Sequence, residues 1–208
     1  MPASAFRTLR PLILASGSPR RRAFLKSLSI AFAVLPASCA EPRPLPGEDP
    51  RDYTVRTAEA KARAVFQDVK VRLDRPAVLA ADTTVILRQE GSAEILGKPR
   101  DKAEAVAMLS RLSGRSHQVV TACCLIVDGK VENFDDTAEV TFARWPLSVL
   151  EAYADSGDPL DKAGAYGIQD GGAFLVSGIR GSWSTVVGLP LNMVIERLLN
   201  AGVLAFNA

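Results

Sequence analysis

The sequence predicts a mixed α/β fold, in which helices pack on a β-sheet that is not all parallel. Segments with helical periodicity alternate with short apolar or β-branched segments along the 208 residues. The pair Asp128-Gly129, between two β-branched segments, is a strong hairpin signal, and a hairpin makes its two strands antiparallel. We therefore expect antiparallel and parallel pairs in one sheet, within a single domain that spans residues 1–208.

In the first half of the chain, apolar runs predict strands and a 3.6-residue period predicts helices. Ser18 with Pro19 marks one helix start, and Asp49 with Pro50 marks another. The proline-rich stretch between them suits neither a helix nor a central strand. The predicted order is a strand at 12–15, a helix at 19–29, a strand at 30–35, a surface loop at 36–50, a helix from 50 to about 69, and a strand at 77–87.

In the second half, Asp101 and Glu104 open a helix that Gly114 ends. Apolar and polar residues then alternate on both sides of the hairpin turn, and Gly157 stops a further helix. The predicted order is a strand at 117–127, a returning strand that ends at 142, a helix at 148–156, a loop at 158–172 rich in glycine and charge, strands at 174–176 and 185–187, and a closing helix at 190–199.

The composition excludes several classes of protein. Lys and Arg number 25 and Asp and Glu 23, so there is no overall basic field for nucleic acid. No apolar stretch is long enough for a membrane span, and the N-terminal segment lacks a signal-peptide pattern. The three cysteines have neither disulfide-framework nor zinc-ligand spacing. We expect a cytoplasmic protein with no nucleic-acid or membrane partner.

A cationic helix start follows the first predicted strand. A turn of small residues, Ser16-Gly17-Ser18, leads into Pro19 and three arginines at 20–22. The first turn of a helix already carries partial positive charge, so three cations there are unfavourable unless an anion compensates them. Backbone N–H groups, the hydroxyls of Ser16 and Ser18, and the forked guanidinium of Arg20 together suit a phosphate. A solvated basic helix start is the alternative.

One acidic residue lies inside an apolar segment. Asp82 interrupts the predicted strand at 77–87, where burying a carboxylate without a partner is expensive. It is therefore hydrogen-bonded, ion-paired or bound to a metal, unless it lies at a strand end and is capped by Thr83 or Thr84. Glu41, in the proline-rich loop, could complete with Asp82 a divalent-cation site made of oxygen ligands.

Three lysines and the one histidine are further candidates. Lys98 and Lys162 lie in glycine-containing loops, where an ammonium group suits phosphate, although each alone could be an ordinary surface lysine. Lys61 adjoins inward-facing alanines, so its stem could pack while its head reaches water. A single histidine excludes a two-histidine metal site, and we predict a structural, hydrogen-bonded role for His117. There is no nucleophile-elbow serine and no Walker-type loop.

Several motifs together resemble the Maf family of nucleotide pyrophosphatases, from about residue 11 to residue 199. They occur in the family's order. They are Leu14-Ala15-Ser16-Gly17-Ser18-Pro19-Arg20-Arg21, Ala81-Asp82-Thr83-Thr84-Val85, Gly97-Lys98-Pro99-Arg100-Asp101, Leu112-Ser113-Gly114-Arg115-Ser116-His117, Asp161-Lys162-Ala163-Gly164-Ala165-Tyr166-Gly167-Ile168-Gln169 and Val187-Gly188-Leu189-Pro190-Leu191.

The resemblance implies a mixed, strongly twisted sheet flanked by helices, with a cleft between two lobes, as in Maf and inosine triphosphate pyrophosphatases. It implies a homodimer that hydrolyses a nucleoside triphosphate to the monophosphate and pyrophosphate with a divalent cation, Mg²⁺, Mn²⁺ or Co²⁺. The expected substrates are dTTP and UTP, with modified pyrimidine nucleotides as further candidates. The alternatives are a purine or 7-methyl-GTP pyrophosphatase and a non-catalytic, nucleotide-binding regulator of cell division.

The resemblance also assigns roles to individual residues. The proton acceptor corresponds to Asp82, and the acid after the second strand corresponds to Glu41. The helix lysine corresponds to Lys61, which we expect to bind the substrate. The dTTP and UTP branch of the family has residues matching Arg20, Thr83 and Gln169. Asp170 departs from the family, which usually has glycine there, and adds negative charge beside Gln169.

These residues suggest a mechanism. We expect Lys98, Lys162 and the segment 16–20 to hold the triphosphate and neutralise charge on the leaving pyrophosphate. Glu41 and Asp82 would hold the cation, and Asp82 would either accept a proton from the attacking water or orient it. Thr83 and Gln169 would read the pyrimidine. An amide can donate to a carbonyl of the base while it accepts from N3–H.

Overall fold

The computed structural model describes residues 5–89 and 91–207. Within them, one strand pair and a larger seven-stranded sheet are formed. The strands are β1 (Phe6–Thr8), β2 (Leu12–Leu14), β3 (Ala33–Val34), β4 (Ala77–Gln89), β5 (Ser92–Leu96), β6 (Ser116–Val127), β7 (Lys130–Phe142), β8 (Val176–Arg180) and β9 (Leu204–Phe206). The helices are α1 (Pro19–Ser27), α2 (Pro50–Val69), α3 (Lys102–Leu112), α4 (Leu147–Asp155), α5 (Trp183–Val187) and α6 (Leu191–Asn200).

The large sheet is mixed, as predicted. Its strands lie in the order β3-β2-β4-β6-β7-β8, and β5 also pairs with β4. The pairs β2–β3 and β2–β4 are parallel, whereas β4–β6, β6–β7, β7–β8 and β4–β5 are antiparallel. The turn between β6 and β7 has positive φ at both Asp128 and Gly129, as a type I′ hairpin requires. The hairpin prediction is therefore confirmed.

The predicted starts of the first three helices are also confirmed, because capping is a local property of the sequence. Asp49 accepts a hydrogen bond from the backbone N–H of Arg51, and Asp101 accepts one from that of Glu104. Ser18 accepts one from Arg21 at the start of α1. No helix among the described residues is both long enough and apolar enough to cross a bilayer.

Two predicted strands are wrong, and three others were not predicted. Residues 174–175 belong to a 3₁₀ turn, Gly171–Leu175, and the strand that follows is β8. Residues 185–187 lie in α5 despite their β-branched side chains. Gly188 closes that helix at φ 116° and donates its N–H to the carbonyl of Ser184. The predicted strand at 30–35 shrinks to β3, and β1, β5 and β9 carry too little periodicity to be predicted.

The strand β4 passes through two hydrophobic regions. Residues 77–81 are buried on both faces, with α2 against one face and α6 against the other. Val85 and Leu87 belong to a second core, formed with α3 and α4. The polar residues 82–84 therefore lie where the strand leaves one core and enters the other.

Candidate active site

A cleft beside the middle of β4 collects most of the residues that the sequence singled out. The start of α1, the middle of α2 and the segment after β5 contribute to its wall, as does the loop that follows α4. All the predicted site residues except Ser16 line it: Ser18, Arg20, Glu41, Lys61, Asp82, Thr83, Lys98, Lys162 and Gln169. Side chains that are far apart in the sequence thus face one space.

The serines before α1 organise the turn. The Oγ of Ser16 accepts hydrogen bonds from the backbone N–H of Ser18, at 3.2 Å, and from Nη1 of Arg21, at 3.1 Å. Ser18 caps the helix through its own Oγ. The predicted phosphate role of Ser16 is therefore not supported by a place on the cleft wall, because this buried residue holds the turn and an arginine instead.

The three arginines of α1 have different surroundings. Arg20 reaches across the cleft to Asp161, with Nη1 and Oδ2 3.4 Å apart. Arg21 also lines the cleft, and its partly buried guanidinium contacts neutral acceptors at 2.8–3.1 Å. Arg22 does not line the cleft; its Nη2 is 3.5 Å from the carbonyl of Gly17. Burial lowers the pKa of Arg21, but an arginine remains protonated in proteins.

Lys61 joins the two carboxylates that were predicted to act together. Its Nζ lies 2.7 Å from Oδ1 of Asp82 and 2.5 Å from Oε1 of Glu41. Burial disfavours the charged form of Lys61, but the two carboxylates outweigh it and raise the pKa of the ammonium. The hydrogen bond from Lys61 lowers the pKa of Glu41. No hydrogen bond to Oδ2 of Asp82 or Oε2 of Glu41 is found within residues 5–89 and 91–207.

The two loop lysines differ in what they can still bind. Lys162 is buried, and its Nζ donates to the carbonyl and Oδ1 of Asp158, at 2.6 and 3.0 Å, and to Oδ1 of Asp161, at 2.7 Å. An ammonium has three protons, so the predicted phosphate contact of Lys162 requires one of these bonds to break. Lys98 is exposed on the cleft and has no ion pair among the described residues. Lys98 is the lysine with free donors.

Gln169 lies at the rim, beside the residue that departs from the family pattern. Its Nε2 donates to Oδ2 of Asp170 at 2.5 Å. A carboxylate only accepts, so this contact requires the NH₂ end of the amide to face Asp170. Among the described residues, Oε1 of Gln169 and the second amide proton have no hydrogen-bond partner and remain for a ligand. The same cleft also has apolar lining residues: Val85, Ile95, Val119, Ile168, Val186 and Val187.

Thr83 is bonded into the protein. Its Oγ1 accepts from Nη2 of Arg21 at 3.0 Å and lies 2.9 Å from Oγ1 of Thr121 in the next strand. Tyr53 of α2 also lines the cleft and was missed, because an aromatic residue in an amphipathic helix resembles any core residue. Burial raises the pKa of Tyr53, so its hydroxyl stays neutral.

Comparison with known proteins matches residues 11–201 to the model of Maf-like proteins. A dTTP/UTP pyrophosphatase of Nitratidesulfovibrio vulgaris is 49% identical over 96% of this chain and 91% of its own length. A dTTP/UTP pyrophosphatase of Anaeromyxobacter dehalogenans is 47% identical, over 92% of this chain and 94% of its own. One of Halalkalibacterium halodurans is 43% identical, over 91% and 95%.

Proposed function

Because this chain belongs to the Maf-like protein family, we propose that it hydrolyses dTTP and UTP to the monophosphate and pyrophosphate. The observation that carries the proposal is one cleft in which Arg20, Arg21 and Lys98 face the same space as the carboxylate of Asp82. Cations on a wall suit a triphosphate, and a carboxylate among them suits proton transfer from water. The shared name of the relatives directs the proposal to dTTP and UTP.

Three cations would bind the triphosphate. Within the described part of the chain, Lys98 has no ion pair and Arg21 is bonded only to neutral groups, so no contacting carboxylate there neutralises the charge of Arg21. The pair between Arg20 and Asp161 is long, so a phosphate can replace the carboxylate. Donors fixed before the reaction stabilise the charge that builds up on the leaving pyrophosphate.

Asp82 would take the proton of the attacking water. In the proposed step the water oxygen bonds to the α-phosphorus, and the bond between that phosphorus and the α,β-bridging oxygen breaks with its electron pair going to pyrophosphate. The water proton passes to Oδ2 of Asp82, since Lys61 already holds Oδ1 and orients the carboxylate. General-base assistance of this kind typically contributes a factor of about 10²–10⁴.

Glu41 and Asp82 fit a divalent cation that substrate phosphates help to hold. Among the described residues, Oε2 of Glu41 and Oδ2 of Asp82 accept no hydrogen bond, and both side chains converge on Lys61. Oδ2 of Asp82 has two lone pairs, one for the cation and one for the proton of the attacking water. Among the described residues there is no group of three such side chains for an all-protein metal site. Mg²⁺ is typically bound by one or two carboxylates together with phosphates. When bound, Mg²⁺, Mn²⁺ or Co²⁺ would neutralise phosphate charge.

The metal proposal has a test that does not need turnover. We expect Mn²⁺ titrations followed by electron paramagnetic resonance to show tighter binding with a non-hydrolysable UTP analogue than without it. Glu41→Gln should weaken the Mn²⁺ bound in that complex. Equal Mn²⁺ affinity with and without the nucleotide analogue would contradict a site that phosphates complete.

Gln169 would read the base. Asp170 holds one end of its amide, which leaves Oε1 to accept from N3–H of uracil or thymine and one proton to donate to a neighbouring carbonyl. Cytosine has no N3–H, so the same amide suits it less well. Val85, Ile95 and Ile168 offer apolar contacts to the base.

The compartment and the assembly are also part of the proposal. Cys39, Cys123 and Cys124 are unpaired thiols, which agrees with a reducing cytoplasm. The family resemblance implies a homodimer. Light scattering coupled to size-exclusion chromatography tests the homodimer, and a monomeric mass would contradict it.

A panel of nucleoside triphosphates compared by kcat/KM for pyrophosphate release tests the proposed activity. We expect UTP and dTTP to exceed CTP and the purine and 7-methylguanosine triphosphates. Asp82→Asn should retain nucleotide binding and lose at least about two decades of turnover. Asp135→Asn is the matched control, because it removes a similarly buried, ion-paired carboxylate from β7 of the same sheet, and Asp135 does not line the cleft.

The outcomes separate the alternatives. Near-normal pyrophosphate release by Asp82→Asn would remove this residue from the mechanism. Preference for a purine triphosphate would replace the proposed substrate. If no nucleotide yields pyrophosphate with Mg²⁺, Mn²⁺ or Co²⁺, the enzyme proposal fails and a nucleotide-binding regulator takes its place.

A further inference from the structure

A row of hydroxyl groups runs across the sheet behind Arg21. Thr83 on β4 lies directly opposite Thr121 on β6, and Thr121 lies opposite Asp136 on β7. Thr185 of α5 covers the row: its carbonyl accepts from Oγ1 of Thr121 at 2.7 Å, and its own Oγ1 donates to Asp136 at 2.5 Å. Thr121 and Thr185 are fully buried and do not line the cleft.

The direction of each bond in this row can be worked out. A carbonyl only accepts, so Thr121 donates its one hydroxyl proton to the carbonyl of Thr185. The contact of 2.9 Å between the hydroxyls of Thr83 and Thr121 must then use the proton of Thr83. Thr83 therefore has no proton left for a substrate, and one lone pair of its oxygen accepts from Nη2 of Arg21.

The same contacts fix the plane of the guanidinium. Nε of Arg21 donates to the carbonyl of Gly188, and Nη1 donates to Ser16 and to the carbonyl of Ala81. With the bond to Thr83, four of the five N–H groups have partners within the described part of the chain. The fifth, on Nη2, belongs to a side chain that lines the cleft. Because the guanidinium is planar, holding four N–H groups sets the direction of the fifth.

Close packing reinforces this arrangement at the end of α5. A Cβ added to Gly188 would lie 3.1 Å from Oγ1 of Thr83 and 3.7 Å from Nε of Arg21. Gly188 also has φ 116°, which side chains rarely adopt. A glycine here thus lets the backbone carbonyl reach the guanidinium while Thr83 remains in contact with it.

We propose that Thr83, supported by Thr121 and Thr185, positions Arg21 for the phosphates of the substrate and does not read its base. This inference rests on the proposed function and deepens it, since it assigns the row of hydroxyls to triphosphate binding. Thr121 and Thr185 act only through Thr83, and Thr83 acts through Arg21.

The decisive variant is Thr121→Val, with Thr121→Ser as its matched control. Valine keeps the shape of threonine and removes the acceptor that fixes the proton of Thr83. The carbonyl of Thr185 still accepts from the N–H of Gly188 at 3.1 Å, so no buried carbonyl is left without a partner. Serine keeps the hydroxyl and should restore the wild-type constants.

Two measurements separate phosphate positioning from base reading. The first is kcat/KM for UTP and for CTP, and the second is inhibition by inorganic tripolyphosphate, a triphosphate without a base. We expect Thr121→Val to lower kcat/KM for both nucleotides by a common factor of about ten, the effect of one hydrogen bond. Tripolyphosphate inhibition should weaken similarly, and the UTP:CTP ratio should stay constant.

The opposite pattern would overturn the inference. A changed UTP:CTP ratio with unchanged tripolyphosphate inhibition would make Thr83 a base reader, and no change at all would leave the row without a role in the site. Thr83→Val, measured in the same way, decides the question if Thr121→Val is too unstable. If the proposed function fails, the wild-type protein does not hydrolyse UTP. Direct binding of tripolyphosphate can then still be compared between the variants, so failure of the proposed function is distinguishable from failure of this inference.

Discussion

His117 should make the stability of the fold depend on pH between neutrality and pH 5. It is the only histidine, it is 2% exposed, and its Nε2 lies 2.8 Å from the hydroxyl of Tyr166. Its Nδ1 is buried with no partner among the described residues. Burial lowers the pKa of His117 from 6.5 to about 4. The structural, hydrogen-bonded role predicted from the sequence is thus confirmed.

The sign and the size of the effect follow from linkage. Below pH 6.5 the unfolded chain binds a proton at this residue, which the folded protein does not bind until about pH 4. The free energy of unfolding therefore falls as the pH drops through this window. The loss is about 2 kcal/mol between pH 7 and pH 5, and about 3 kcal/mol in all.

Urea unfolding at pH 7, 6 and 5 measures this loss, with His117→Phe as the control variant. Phenylalanine keeps the edge-to-face contacts with Phe142 and Tyr166 but cannot be protonated. The carboxylates whose pKa is lowered, such as Glu41, titrate in the unfolded chain near pH 4.5, so they contribute little above pH 5. Equal pH dependence in the wild type and in His117→Phe would refute the reasoning.

Two further predictions concern the loop beside the cleft. Gly164→Ala should lower the free energy of unfolding by about 2–5 kcal/mol, because φ is +68° and a Cβ would lie 2.9 Å from both γ carbons of Val85. Gly157→Ala, at φ +77° in open space, should lose only about 1–2 kcal/mol, and equal losses would contradict the packing argument. Asp170→Ala should free the amide of Gln169 and lower the UTP:CTP ratio of kcat/KM several-fold, by about 1 kcal/mol; an unchanged ratio would remove Asp170 from base recognition.

The sequence predicted those features of the fold that depend on a few adjacent residues, such as helix caps and the hairpin turn. Caps at Asp49 and Asp101, and the hairpin at Asp128-Gly129, depend on a few adjacent residues and lie where the sequence indicated. Residues 185–187 could not be predicted in this way. Their β-branched side chains favour a strand, but Gly188 ends a short helix there, and Thr185 is bonded to a distant strand.

The charged residues of the site could be predicted from the sequence, but most of their hydrogen-bond partners could not. Asp82 was visible as an acid in an apolar run. The partners of Lys162 are close to it in the sequence: Asp158 lies four residues before it and Asp161 one residue before it. The sequence does not show, however, that the loop directs all three ammonium protons to these two residues. Thr121 looks like any β-branched residue of a strand, and its contact with Thr83 depends on the register of the sheet.

The most direct test of the central claim is a ³¹P NMR spectrum of the products that the purified protein forms from UTP with Mg²⁺. Attack that releases the two terminal phosphates together predicts equal amounts of UMP and pyrophosphate, and the Asp82→Asn protein should produce neither at a comparable rate. Formation of UDP and inorganic phosphate, or UTP left intact by the wild-type protein, would contradict the account.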